Sequence, residues 1–237
     1  MTESPLSVNS TYMDFVTAIE ADIFYPIAFQ DRKALGAWIS ENGLNAQSIG
    51  RCDKEKSAVL VSGELPFYQN SGRYYSQIWV RAKYKDYRKS VLQHIKYIND
   101  SVEMISNYDA DHSVSKKRLL DVWPEAWVNL TLVRKSINRS IGSMLEKDTL
   151  EIESDGDVVG ANLEFILKLL MHREGRLSKK NMQEYFDEIG KRFLHSTSSL
   201  DAFLESNNAD GFLTDIAMKN NLKNRRPPLM MIVSSSS

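Results

Sequence analysis

Residues 108–112 read YDADH, residues 127–133 read WVNLTLV and residues 134–142 read RKSINRSIG. The second stretch is apolar and rich in β-branched residues, which favours a strand. The third stretch is basic and has helical spacing. Asp111 and His112 end the first stretch, which we interpret as extended, and Asn129 and Asn138 lie in the other two. The order predicts two strands followed by a helix.

This arrangement of side chains resembles the HNH, or ββα-metal, nuclease motif. His112 and Asn129 are 17 residues apart, and Asn129 and Asn138 are 9 residues apart. The stretch is most similar to the zinc-free HNH modules of RNA-guided CRISPR effector nucleases, which also read Tyr-Asp-x-Asp-His and end in Asn-Arg. It also resembles the HNH modules of GmrSD-like restriction proteins. The resemblance covers residues 107–146.

The resemblance implies a role for each polar residue of the motif. His112 acts as the general base, because an imidazole with a pKa near 6.5 can take a proton from water at neutral pH. Asp111 and Asn138 hold Mg²⁺ or Mn²⁺ through oxygen atoms. Asn129 braces the backbone of the loop that carries the histidine. The implied reaction is hydrolysis of a phosphodiester bond.

Basic side chains lie on both sides of the motif and predict contacts with the phosphate backbone of DNA. Between Arg73 and Lys96, seven basic residues stand against one acidic residue, with tyrosine and tryptophan interleaved. The alternative for this segment is an amphipathic helix whose basic side is only solvated. The candidate phosphate-binding residues are Arg88, Lys89, Lys116, Lys117, Arg118, Arg134, Lys135 and Arg139.

Composition limits the class of protein. Of the 237 residues, 42% are hydrophobic and 26% are charged, which excludes a disordered or collagen-like chain. The single cysteine, Cys52, excludes a disulfide framework and a cysteine-rich zinc site. The chain has no secretory signal pattern and no apolar run of roughly 18 residues. We therefore expect a soluble cytoplasmic protein with no membrane partner.

The net charge of −1 excludes a protein that coats nucleic acid with a uniformly basic surface. However, the basic and acidic residues lie in different parts of the sequence. Acidic residues gather at 146–157, after the basic residues of the motif. We therefore expect an acidic connector between the motif and the C-terminal part. A calcium loop beginning at Asp155 is excluded, because Val159 and Ile166 take the positions of two required oxygen ligands.

The periodicity predicts an α+β protein in three parts. Residues 1–103 form a mixed region, residues 104–148 form the ββα-metal module, and residues 149–237 form a helical region with a frayed tail. We expect helices at residues 12–25, 32–42 and 84–98, and three or four more within 161–221. We expect strands at 58–62 and 77–82. Residues 113–128 are expected to form a loop.

Together these features predict a metal-dependent HNH endonuclease acting on DNA, with Mg²⁺ or Mn²⁺ as its cofactor. By analogy with its relatives, such a protein works beside partner proteins in restriction or phage defence. The alternative is a nucleic-acid-binding or scaffold subunit of such a complex, in which the HNH fold is catalytically silent.

Overall fold

The computed structural model describes residues 14–18, 24–65, 74–99, 108–135, 138–139, 152, 154–162, 165, 168 and 169. Within these residues the chain is α+β and forms one antiparallel seven-stranded sheet with helices packed on it. The strands are β1 (Pro26–Phe29), β2 (Asn45–Ser48), β3 (Ala58–Gly63), β4 (Tyr75–Arg81), β5 (Tyr108–His112), β6 (Trp127–Arg134) and β7 (Val158–Gly160). The helices are α1 (Arg32–Glu41), α2 (Tyr87–Asn99) and α3 (Lys116–Val122). Residues 14–18 are also helical.

Helix α1 begins and ends on local sequence signals. The Asp31 side chain accepts a hydrogen bond of 2.9 Å from the backbone N–H of Ala34, which caps the first turn. At the other end Gly43 has a φ of 64°, a conformation that glycine adopts without steric cost. The helix therefore stops where the sequence predicts.

Strand β6 is central to the sheet, whose order is β2-β3-β4-β6-β1-β7. One edge of β6 pairs with β4. The other edge pairs first with β1 and then with β5. Because β6 is bonded on both sides, its first seven residues are all buried, as expected for an inner strand.

The two faces of the sheet pack against different helices. On one face, Leu35 and Ile39 of α1 lie in a cluster with Trp79 and Trp127. The larger cluster includes residues of α2 and α3 with Ile78, Val80, Val128 and Leu130 of the sheet. Successive residues of a strand point to opposite faces, so β6 contributes side chains to both clusters.

Several expected elements are confirmed. Helix α1 is the helix expected at 32–42, α2 at Tyr87–Asn99 is the one expected at 84–98, and strands β3 and β4 match the two expected strands to within two residues. Of the helix expected at 12–25, residues 14–18 are helical and 24–25 are not.

Strand β1 and helix α3 are missing from the sequence prediction. The four residues of β1 are all buried, and a short apolar run does not distinguish a strand from a buried helix. Helix α3 lies in the expected loop 113–128, and its seven residues are too few to give a clear helical period. Both elements depend on tertiary contacts more than on local pattern.

Some expectations fall largely outside the described residues. In the C-terminal region the structure describes helical conformation at Phe165, Lys168 and Leu169, and the other predicted helices of that region lie outside. Most of the acidic connector at 146–157 also lies outside. No helix within the described residues is long and apolar enough to cross a membrane.

Candidate functional site

The motif residues lie on β5, on β6 and just after β6. The two strands pair in antiparallel register, with Asp111 opposite Thr131 and His112 opposite Leu130. Lys135 and residues 138–139 are helical, so the described elements follow the order strand, strand, helical segment. Because neighbouring strand residues alternate, His112 and Asp111 point to opposite faces of the sheet.

His112 is enclosed at the end of β5. Its exposed fraction is 7%, and its Nε2 atom is buried with no hydrogen-bond partner among the described residues. The ring of Tyr87 lies against it, with 4.6 Å between the ring centroids. Burial, together with the positive charges of Lys168 and Lys116, lowers the pKa of His112 to about 3. The imidazole is therefore neutral at pH 7.

Asp111 forms an ion pair with a buried lysine that is remote in sequence. Its Oδ2 atom lies 3.0 Å from Nζ of Lys168, and the exposed fractions of the two side chains are 15% and 4%. The same ammonium donates a hydrogen bond of 3.1 Å to the backbone carbonyl of His112. Lys168 therefore connects the end of β5 to the C-terminal segment in which Phe165, Lys168 and Leu169 are helical.

Asn138 lies near Asp109, the first acidic residue of the motif. Its Nδ2 atom is 3.5 Å from Oδ2 of Asp109. The other oxygen of Asp109 receives a hydrogen bond of 2.6 Å from Arg88 of α2. Both oxygens of Asp109 thus have partners, and the side chain of Asn138 contacts this carboxylate.

A divalent ion does not fit these side chains as they are placed. The proposed ligand Asp111 is occupied by an ammonium, and the amide nitrogen of Asn138 faces another carboxylate. Within the described part of the chain, no three His, Cys, Asp or Glu side chains gather closely enough to hold a metal ion. A metal at Asp111 needs a rearrangement of Lys168.

Asn129 is fully buried in β6, on the face opposite to His112. Its exposed fraction is 0%, and neither atom of its amide has a hydrogen-bond partner among the described residues. Its backbone carbonyl accepts a hydrogen bond of 3.1 Å from Ser113, the residue after the histidine. The next residue on the same face, Thr131, also has a buried unpartnered hydroxyl. Unpartnered buried polar groups reduce stability, so we expect Asn129 and Thr131 to lower the stability of β6.

The candidate phosphate-binding residues differ in their availability. Arg88 is bound to Asp109, and the guanidinium of Arg134 lies over the ring of Tyr108 with 5.8 Å to its centroid. Arg81 and Lys83, from the wider basic segment, both pair with Glu125. The exposed candidates are Lys89, Lys117 and Arg139, and the half-buried ones are Lys116, Arg118 and Lys135.

Two residues of the site were missed by the sequence analysis. Lys168 is the only charged residue in the apolar stretch 165–171, and a single charge in an apolar helical run is a signal for a buried ion pair. Tyr87 lies within the helix expected at 84–98, and no local signal connects it with His112. Both are separated from β5 by more than twenty residues.

Comparison with known proteins yields no relative for this arrangement. No family model matches the chain, and neither a curated protein nor a solved structure matches it. Function is therefore inferred from the motif and from the geometry around it.

Proposed function

We propose that this chain is an HNH-type endonuclease that hydrolyses phosphodiester bonds of nucleic acid, with DNA as the expected substrate. The observation that carries the proposal is the order of elements around the motif. Strand β5 ends in Asp111 and His112, it pairs with the strand that carries Asn129, and helical residues including Asn138 follow. This is the order of elements that the resemblance implies for a ββα-metal module.

The state of His112 is compatible with a role as general base. Its ring is neutral at pH 7 because burial lowers its pKa, and its Nε2 atom has no partner among the described residues. A base with a pKa near 3 is weak, however. The proposal therefore requires substrate and water to reach the ring, which would move the pKa back toward 6.5.

Exposed basic side chains supply the expected contacts with the substrate. Lys89, Lys117 and Arg139 are exposed and have positive charge at neutral pH. Contacts with phosphate do not select a base sequence, so we expect binding that depends steeply on salt and little on sequence. Mg²⁺ or Mn²⁺ remains the proposed cofactor, and its binding at Asp111 requires Lys168 to leave that carboxylate.

A second candidate is a catalytically silent nucleic-acid-binding or scaffold subunit of a restriction or defence complex. The observation that favours it is that the motif residues are buried and already paired within the protein. A buried ammonium neutralises Asp111, and His112 is 7% exposed. If the fold serves only as a scaffold, Asp111 and His112 do not have to become accessible to a metal ion or to substrate.

Cleavage of supercoiled plasmid in Mg²⁺ or Mn²⁺ separates the two candidates. The variant His112→Gln removes the proposed base, and His94→Gln is the matched control, because His94 is also buried and its pKa is also lowered by burial, to about 4. We expect cleavage by the wild type and by His94→Gln, and none by His112→Gln. Equal cleavage by all three proteins would remove His112 from the mechanism. DNA binding without cleavage by the wild type would favour the silent subunit.

A further inference from the structure

An aromatic pocket lies beside α1, on the face of the sheet opposite to His112. Strand β4 carries Tyr75 and Trp79 on this face, and the ring of Trp38 in α1 lies 5.9 Å from each of their rings, measured between centroids. Most of the side chains that line the pocket are aromatic, and none is charged; the aromatic ones are Phe24, Tyr25, Trp38 and Tyr75.

The shape of the pocket suits a small, rounded group. The rings of Trp38 and Tyr75 meet at an angle of 70°, so they form a corner and not two parallel plates. The pocket holds about 280 Å³ of space, part of it open to solvent. Pockets for drug-sized ligands hold roughly 300 to 1,000 Å³, so this one is small even for that class. A flat base stacked between two rings does not fit the corner.

The outer wall of the pocket is a phenylalanine that is partly in water. Phe24 lines the pocket, and its exposed fraction is 53%. A Cβ atom at Gly160 of β7 would lie 2.6 Å from Cε2 of Phe24, so the ring lies directly on this glycine. Gly160 does not have a positive φ, so its missing side chain serves the close approach of the ring and not the backbone. The ring is thus held at the mouth of the pocket, where a ligand can contact it.

The groups around the pocket favour a positively charged ligand. The Nδ2 atom of Asn42 donates a hydrogen bond of 2.9 Å to the carbonyl of Trp38, and the remaining Oδ1 atom of this amide is an acceptor. Burial raises the pKa of Tyr75, and the negative charge of Asp14 raises it as well. A negative charge therefore acts on this wall of the pocket. The faces of aromatic rings also attract cations that lie within about 6 Å of their centroids.

We propose that this pocket binds a methylated ammonium group, of the kind found in choline and in trimethyllysine. The methyl groups fill the space between apolar walls, and the charge interacts with the ring faces without needing hydrogen-bond acceptors. The proposal goes beyond the nuclease function and does not depend on it, because the pocket and His112 lie on opposite faces of the sheet.

Titration of the isotope-labelled full-length protein with choline, followed by NMR, tests the proposal. The readout is the indole N–H signal that the variant Trp38→Phe removes. The matched ligand is the neutral analogue of choline, in which a tert-butyl group replaces trimethylammonium. We expect choline to shift this signal and to bind at least about threefold more tightly than the analogue. Titrations with trimethyllysine and with lysine then show whether the group is better recognised on a free headgroup or on a lysine side chain.

Two variants at exposed positions connect binding with the pocket. Phe24→Leu removes one ring of the wall and should weaken choline binding about two- to fivefold. Tyr74→Leu is the matched control, because Tyr74 is 61% exposed and is not a lining residue, and its affinity should equal that of the wild type. Equal affinity for choline and its neutral analogue, or no response to choline in the millimolar range, would overturn the proposal. A Phe24→Leu variant that binds choline as the wild type does would also contradict it.

Discussion

The ring of Tyr87, in the first turn of α2, lies 4.6 Å from the ring of His112 at the end of β5, with an angle of 57° between the planes. The contact joins a helix of the predicted N-terminal region to the proposed base. Burial is the largest cause of the low pKa of His112. The ring of Tyr87 is one of the groups that shield the imidazole from water. Burial and the negative charges of Asp111 and Asp109 also raise the pKa of Tyr87 itself. Access to the histidine therefore depends on the position of α2.

Removing the tyrosine ring raises the pKa of His112. We expect Tyr87→Ala to admit water to the imidazole and to move its pKa from about 3 toward its ordinary value of 6.5. Tyr87→Phe keeps the ring and leaves the value low. The measurement is the pH dependence of the histidine ring signals by NMR, with His94 as the internal reference at about 4. An unchanged His112 in Tyr87→Ala would mean that other groups enclose it.

The stability of the protein falls as the pH falls below about 6.5. Burial lowers the pKa values of His94 and His112 in the folded state. As the pH falls, the unfolded chain therefore takes up a proton on each histidine at a higher pH than the folded protein does, and this favours unfolding. The stabilisation is fully present above pH 6.5 and is lost toward the folded values of about 4 and 3. Each histidine lowers the free energy of unfolding by about 1.4 kcal/mol between pH 7.5 and 5.5. Urea unfolding at these two pH values should show a smaller difference in His94→Gln than in the wild type.

The two ion pairs of β5 differ in their contribution to stability. Lys168→Met leaves the carboxylate of Asp111 without its buried partner, and we expect a loss of about 3 kcal/mol in the free energy of unfolding. Arg88→Met breaks the pair with Asp109, whose arginine is 41% exposed, and the expected loss is below about 1 kcal/mol. Urea denaturation of the two variants checks the order. Equal losses would show that burial does not distinguish the two pairs.

We expect the buried amide of Asn129 to lower the free energy of unfolding. Asn129→Leu removes two buried polar atoms that have no partner among the described residues, at similar volume, and should raise the free energy of unfolding by about 1 to 2 kcal/mol. Thr131→Val, which removes one unpartnered hydroxyl at unchanged shape, should raise it by less. Thermal unfolding of both variants provides the test. If Asn129→Leu is less stable than the wild type, the amide has partners that account for its burial.

Exposed lysines near the motif are expected to contribute to DNA binding through phosphate alone. Lys117→Ala should lower the slope of the logarithm of the binding constant against the logarithm of salt concentration by about 1, equally for unrelated DNA sequences. Lys54→Ala is the control, because Lys54 is also exposed but lies between β2 and β3. Fluorescence anisotropy at several salt concentrations gives both slopes. A change that depends on the DNA sequence would indicate a contact with bases.

Local pattern determined much of the secondary structure. The cap at Asp31, the glycine at 43 and the β-branched run of β3 act within a few residues, so α1 and β3 are readable from the chain. The order of Asp111, His112, Asn129 and Asn138 is likewise a property of the sequence alone, and it is what supports the proposed function.

Tertiary structure decided what those residues touch. Lys168 reaches the carbonyl of His112 from 56 residues away, and Tyr87 covers its ring from another helix. Strand β1 is a strand because it joins two partners, β6 and β7. Burial and ion pairing of this kind arise when the hydrophobic core forms cooperatively, because each tertiary contact then depends on many residues that are distant in sequence. The sequence by itself supplied the chemical groups and their local structure, and only the fold decided that Asp111 is paired with a lysine and His112 is enclosed.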